Sequence, residues 1–471
     1  MDQARQDDSG GQPRALDISG TELAGLLDTA ARLAAEYWAG LDARPACPDS
    51  RAVETTSLFA RPWAEAGRGA AVLDDFTTIA AHSRPSGGRF FGYVFGSGEP
   101  VGALGDLLAS VLNQNVGAWR SAPAAVAVEQ AVIGWLGDAI GCTGFTGSLC
   151  GGGSSANLMA LAMAREAKLP ANEDGARPGI VYASEQVHMS VPKAVALIGL
   201  GRRNLRLIPV DADRRMRLDA LEAAIAEDRA AGRTPIAIVA TAGTVATGAI
   251  DPLPAIAEIA RREELWMHVD GAFGVLAALA APELFEGLSL ADSVSLDAHK
   301  WLYQPVDCGC LLHRHADVAR KTFSHSGDYV RALNTDPGET FAYFDESLEL
   351  SRRFRALKLW MSLGYHGRSA FRASIARDLA HARLLERAVA ARPELELMSS
   401  GSLSAVCFRH RERDNEALLR RLLARRRVYL SNATLDGRFA LRACFVNHRT
   451  TEDDVHEIVA EVIAAAGEIN D

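Results

Sequence analysis

No window of this 471-residue chain approaches the roughly 18 consecutive apolar residues that a membrane span requires. The first stretch, MDQARQDDSGGQPR, lacks the positive start and apolar core of a signal peptide, and its polarity predicts disorder over about 15 residues. Cysteine is sparse: seven residues, at 47, 142, 150, 308, 310, 407 and 444, form no CxxC pair, which argues against a disulfide framework. A basic excess is also missing. The formal net charge is -9 and the pI about 5.8, which excludes the electrostatic footprint of a nucleic-acid binder. The one arginine cluster (Arg420, Arg421 and Arg425 to Arg427) has the spacing of a solvated helix face. There is no internal repeat. These absences predict a soluble, cytoplasmic protein with neither membrane nor nucleic acid as partner.

What is present is apolar residues, 48 % of the chain, over a length too great for one ordinary domain. Helical spacing runs over 19 to 40, with Ser19 or Thr21 as cap, and again near 101 to 115 and 123 to 140, the last announced by Pro123. From 145 short apolar runs alternate with helical stretches. The runs are 179 to 184, 205 to 210, 235 to 241, 265 to 270, 293 to 297 and 308 to 313. Such alternation predicts an α/β fold with a large, mostly parallel sheet covered on both faces, whose ligands lie beyond the carboxyl ends of its strands. Two long helices, 349 to 364 and 367 to 390, lead to a smaller α+β unit with strands near 403 to 409 and 438 to 446 and a helix over 451 to 466. The expected divisions are a dimer-forming helical segment 1–98, a large domain 99–355 and a small C-terminal domain 356–471.

Four loops fall where that sheet would build a site. CGGGSSANLMAL (150 to 161) sets three glycines and two serines before an amphipathic helix, leaving backbone N–H groups for a phosphate at the positive helix end. It is neither GxGxxG nor a Walker motif, and a plain turn with a serine cap is the alternative. His188 follows a strand, as a cap would, or as a group facing a ligand. Asp270 ends an apolar strand, where a carboxylate must be paired or bonded. Lys300, in SVSLDAHKWLYQPVDCGCLL (293 to 312), is enclosed by apolar and aromatic neighbours at a strand end; the alternative is a lysine reaching solvent.

Together the four describe a site for pyridoxal 5'-phosphate. A neutral Lys300 amine can form a Schiff base with an aldehyde, and Asp270 can keep a pyridine nitrogen protonated. His188 can lie over the ring, and residues 153 and 154 can hold the phosphate.

With RFFGYV (89 to 94), GGGSSANLMALAMAR (151 to 165), TAGTVATGAIDPL (241 to 253), HVDGAFG, DAHKWL and SRRFRALKLW (351 to 360), the chain resembles the group II pyridoxal-phosphate decarboxylases over about 80 to 465. Among these it resembles the aromatic-L-amino-acid decarboxylases. The resemblance implies the aspartate aminotransferase-like fold (fold type I), an intertwined homodimer, and conversion of an L-amino acid to its amine and CO2. It makes Lys300 the Schiff-base lysine, Asp270 the pyridinium partner and His188 the stacking base. Gly153, Ser154 and His299 would contact phosphate, Ala272 would pack under the ring, and Tyr329 would be the lid acid, with Tyr343 as fallback. Val245 stands where the family often has a second threonine, leaving Thr244 and Thr241 as nearby hydroxyls. Phe91, Tyr93 and Trp119, with Phe90, are candidate pocket residues and favour an aromatic substrate. Arg89 and Arg120 keep an acidic substrate open, and an aldehyde synthase on the same scaffold is the rival activity. No metal site is expected.

Overall fold

In the computed structural model, residues 16–325 and 337–469 are described, and they divide into two compact units at Pro85/Ser86. Residues 86–98 therefore belong with the larger unit rather than with the N-terminal segment.

In the smaller unit the helix Gly20–Ala39 is capped by Ser19, whose hydroxyl accepts the Glu22 N–H, and buries none of its side chains. The stretch expected to be a connection to about 70 holds the helix Ala52–Phe59, and Asp75–His82 follows it.

The larger unit is built on a seven-stranded sheet. Its strands are β1 (Thr146–Cys150), β2 (Ile180–Ser184), β3 (Leu205–Ile208), β4 (Pro235–Thr241), β5 (Trp266–Asp270), β6 (Ser293–Asp297) and β7 (Gly309–His313). They lie in the order β1-β7-β6-β5-β4-β2-β3. The pairs from β3 to β6 are parallel, while β7 runs antiparallel to both β6 and β1. Every residue of β2, β5, β6 and β7 is buried, which is why these stretches read as continuous rather than alternating apolar runs. The expected mostly parallel sheet is present, with one strand more than the sequence suggested. β1 was hidden because TGSLC is short, carries a glycine and runs into the glycine loop.

A second, four-stranded antiparallel sheet is formed by β8 (Leu395–Ser400), β9 (Ala405–His410), β10 (Ser431–Leu435) and β11 (Arg438–Cys444), in the order β10-β11-β9-β8. The two outer strands are the ones the apolar pattern did not reveal. The expected helix pair is one run, Ala356–Ala390, interrupted at Gly367, whose φ of 73° and ψ of 159° break the helical path. Residues 349 to 355 lie outside it.

Candidate active site

Five strand ends of the large sheet open on one cavity of about 680 Å³, that of β4 delivering Thr241, Gly243 and Val245. β1 delivers Gly151 to Ser155, β2 delivers His188, β5 delivers Asp270 and Ala272, and β6 delivers Asp297, His299 and Lys300. The sequence-predicted Gly153, Ser154, His188, Asp270, Ala272, His299, Lys300 and Tyr93 all line it. All these strand ends point the same way because β1, antiparallel to β7, runs parallel to β6.

The helix Gly153–Lys168 begins at the cavity wall with no side-chain cap, so its first N–H groups remain available to an anion. Gly152 takes φ 143°, a backbone region closed to other residues. A Cβ on Gly153 would lie 2.6 Å from the Ala272 Cβ, so only glycine lets the helix start approach the β5 end this closely.

Lys300 does not reach for solvent. Its Nζ lies 2.8 Å from Asp297 Oδ2, and Asp297 is almost fully buried, with its Oδ1 unpartnered among the described residues. Asp297 is a site residue that the sequence reading passed over, although it opens the DAHKWL motif. Asp270 is likewise buried. Its Oδ2 accepts from Asn157 Nδ2 at 2.9 Å, and its Oδ1 accepts from Ser295 Oγ at 3.2 Å and the Ala272 N–H at 3.3 Å. His188 and His299 are both held below the ordinary histidine pKa, in each case chiefly by burial. His299 Nδ1 accepts the Cys308 N–H at 3.2 Å.

Four expectations need correction. Phe91 is fully buried in the small-domain core with its ring against Phe445, because its backbone is bonded on both sides, to Tyr429 O and from Cys444 N. It cannot touch a substrate. Trp119 packs against the main core and is not among the lining residues. Thr244 turns its hydroxyl to Thr247 Oγ1 (3.0 Å) and the Ala249 N–H (3.1 Å), inside its own turn, so it does not face the cavity. Thr241 lines the cavity instead, with its hydroxyl buried and unpartnered among the described residues, beside Val245. The fallback acid Tyr343 is buried under the Arg352 guanidinium, away from the site. Tyr329 lies outside the described residues. Arg442 binds the backbone carbonyls of Tyr93 and Ala246, and so braces the wall rather than lining it.

These residues fit pyridoxal phosphate. The uncapped helix start offers N–H donors for a phosphate, Asp270 a carboxylate for a protonated ring nitrogen, His188 and Ala272 two ring faces, and Lys300 an amine. Residues 73–411 match the model described as the pyridoxal-dependent decarboxylase conserved domain.

The chain belongs to the pyridoxal-dependent decarboxylase family.

It is 34 % identical over 395 residues to an aromatic-L-amino-acid decarboxylase of Bacillus atrophaeus, covering 81 % of this chain and 82 % of that one. It is also 34 % identical to an L-2,4-diaminobutyrate decarboxylase of Rhizobium meliloti (strain 1021), over 77 % and 75 % of the two chains. Among solved structures, Oryza sativa TDC with PLP and tryptamine superposes with a TM-score of 0.90 at 26 % identity, over 97 % of this chain and 99 % of that one. The protein is thus a pyridoxal-phosphate-dependent carboxy-lyase of fold type I. Among the described residues no helix is long and apolar enough to cross a membrane, and no cluster of His, Cys, Asp and Glu could hold a metal ion.

Proposed function

We propose that this member of the family decarboxylates an aromatic L-amino acid to the amine and CO2. The observation that carries the substrate class is the cavity lining. Tyr93, Val94, Val245 and Phe273 give it an aromatic and aliphatic side, and Lys300 is the only lysine or arginine among the described lining residues. A glutamate-like side chain would need a cationic partner there, whereas an aromatic ring needs apolar surface. Arg120 pairs with Glu339 at 3.4 Å, which further weakens the case for an acidic substrate.

When bound, pyridoxal phosphate supplies an electron sink for the pair left as CO2 departs. The protein's part is positional and electrostatic. Lys300 Nζ would hold the cofactor through its aldehyde. Asp270 would keep the proton on the ring nitrogen. Gly153, Ser154 and His299 would hold the phosphate, and Ala272 and His188 would fix the ring between them. We assign return of the proton to the substrate α-carbon to Tyr329. Two copies of the chain would form the active unit.

The test is a screen of the twenty L-amino acids for CO2, amine, aldehyde and ammonia. Equal amine and CO2 from an aromatic amino acid support the reading. Release of CO2 only from acidic or diamino substrates would overturn the substrate class. Aldehyde with ammonia in place of amine would make the enzyme an aldehyde synthase. The same screen on Tyr329→Phe should show CO2 release retained and amine diverted to aldehyde under air. An unchanged amine yield at an unchanged rate would remove Tyr329 from the mechanism.

A further inference from the structure

Behind the cavity wall, buried polar side chains form one unbroken hydrogen-bond chain that joins two of the cofactor-facing groups. Trp266 Nε1 lies 2.9 Å from Ser293 Oγ, which lies 2.9 Å from His268 Nδ1. His268 Nε2 is 2.9 Å from Asn157 Oδ1. Asn157 Nδ2 is 2.9 Å from both Asp270 Oδ2 and Ser190 Oγ. Ser190 Oγ is 2.8 Å from His188 Nδ1. Trp266, Ser293, His268, Asn157, Asp270 and Ser190 are all buried.

The two ends of this chain fix the direction of every proton in it. The indole N–H can only donate, and an ionised carboxylate can only accept. Asn157 must therefore present its amide NH2 to Asp270 and its carbonyl to His268. That requires a proton on His268 Nε2. Burial holds His268 neutral, with its pKa lowered to about 4, so its Nδ1 is bare and takes the Ser293 hydroxyl proton. On the other branch Ser190 Oγ accepts from Asn157 and has its own proton left to give. Its nearest acceptor is His188 Nδ1. The Ser190 backbone N–H also points at that nitrogen, at 3.3 Å, so two donors converge on it. A proton on Nδ1 would face both.

We propose that Asn157 is a positioning residue linking the Asp270 carboxylate to the His188 imidazole through Ser190, and that the order of donors fixes His188 as the tautomer protonated at Nε2. The consequence is chemical. His188 Nε2 has no hydrogen-bond partner among the described residues, so its N–H is the donor that the ring offers to the cavity. Nδ1, the nitrogen through which a base would relay a proton inward, is already occupied. His188 then acts toward bound substrate as a donor at Nε2, and its orientation depends on the same amide that supports Asp270. This consequence rests on the cofactor-facing roles given above, whereas the tautomer stands on the hydrogen-bond order alone.

The test reads the tautomer directly. The protein is labelled with 15N-histidine, and two-bond 15N–1H correlations are recorded on the apoprotein and the holoenzyme without substrate. The chain has 12 histidines, and His188 is assigned by the signal lost in His188→Gln. The expected pattern is a pyridine-type Nδ1 and a pyrrole-type Nε2. In Ser190→Ala, which removes a single oxygen, both signals should move toward the tautomer average. Asn157→Leu should do the same and weaken cofactor binding roughly 10-fold or more, since a bond to a charged group is lost. A pyrrole-type Nδ1 in the wild-type protein would overturn the proposal. So would a Ser190→Ala protein with an unchanged pattern, and this variant decides the matter even if Asn157→Leu fails to fold. No substrate enters the measurement, so a failed substrate screen and a failed tautomer are separate results.

Discussion

A lysine enclosed at a strand end needs a charge beside it or a carbonyl to react with, and Lys300 has access to both. Asp297 lies 2.8 Å from its amine, and the cavity opens beyond. Asp270 lies in the same cavity on three donors. Those donors support a carboxylate, so Asp270→Asn should fold and still lose turnover by about 100-fold or more, the usual cost of removing a group that stabilises developing charge. A folded Asn variant with near-normal decarboxylation would show the carboxylate to be structural. Asp378 braces the lysine turn from behind, accepting from Trp301 Nε1 at 2.9 Å and Tyr303 Oη at 2.7 Å. Burial raises its pKa to about 7, above the ordinary aspartate range, so the folded protein holds its proton more tightly than the unfolded chain does. The stability this contributes is complete below about pH 4 and is lost as the pH rises through about 7. The melting temperature of the wild type minus that of Asp378→Asn should therefore fall as the pH is raised from about 5 to about 8. A difference independent of pH would contradict this. Lys300, Asp270 and His188 were legible in the sequence because charged or titratable residues at the ends of apolar strands are costly without a task. Asn157 and Ser190 were not, since a helix interior and a helix entrance both accept such residues without comment. Phe91 misled for the opposite reason: an aromatic near a site motif looks the same whether it faces the cavity or the core.

Among the elements, the helix Gly153–Lys168 carries the most consequence. The glycines and serines were expected to precede it, yet it begins at Gly153, so that glycine belongs to its first turn. Gly153→Ala would force its Cβ against Ala272, and the wall between phosphate and ring would have to shift. Cofactor affinity, followed by titration of the apoprotein, should drop at least about tenfold, with the fold retained. Unchanged affinity would move the phosphate elsewhere. The central strands were readable because burial on both faces leaves one unmistakable composition. β10 escaped notice because SNATL is an edge strand with alternating exposure, and its pairing with β11 is what identifies it.

At the scale of the whole molecule, the larger unit presents an exposed apolar face among the described residues. Helix Pro100–Leu112 exposes Leu104, Leu107, Leu108, Val111 and Leu112, spaced as one continuous face. Monomeric proteins rarely leave such a stripe open, and an obligate dimer would bury well over roughly 2,000 Å² in all. Leu108→Glu should yield monomers of lowered activity in sedimentation and turnover assays. A wild-type protein that is a fully active monomer at micromolar concentration would refute the dimer.

The most direct test of the account concerns the amine at its centre. Holoenzyme treated with borohydride and digested should yield the reduced pyridoxyl group on the peptide containing Lys300 and on no other, and Lys300→Ala should yield none. A pyridoxyl group fixed elsewhere, or an undiminished adduct in Lys300→Ala, would contradict it.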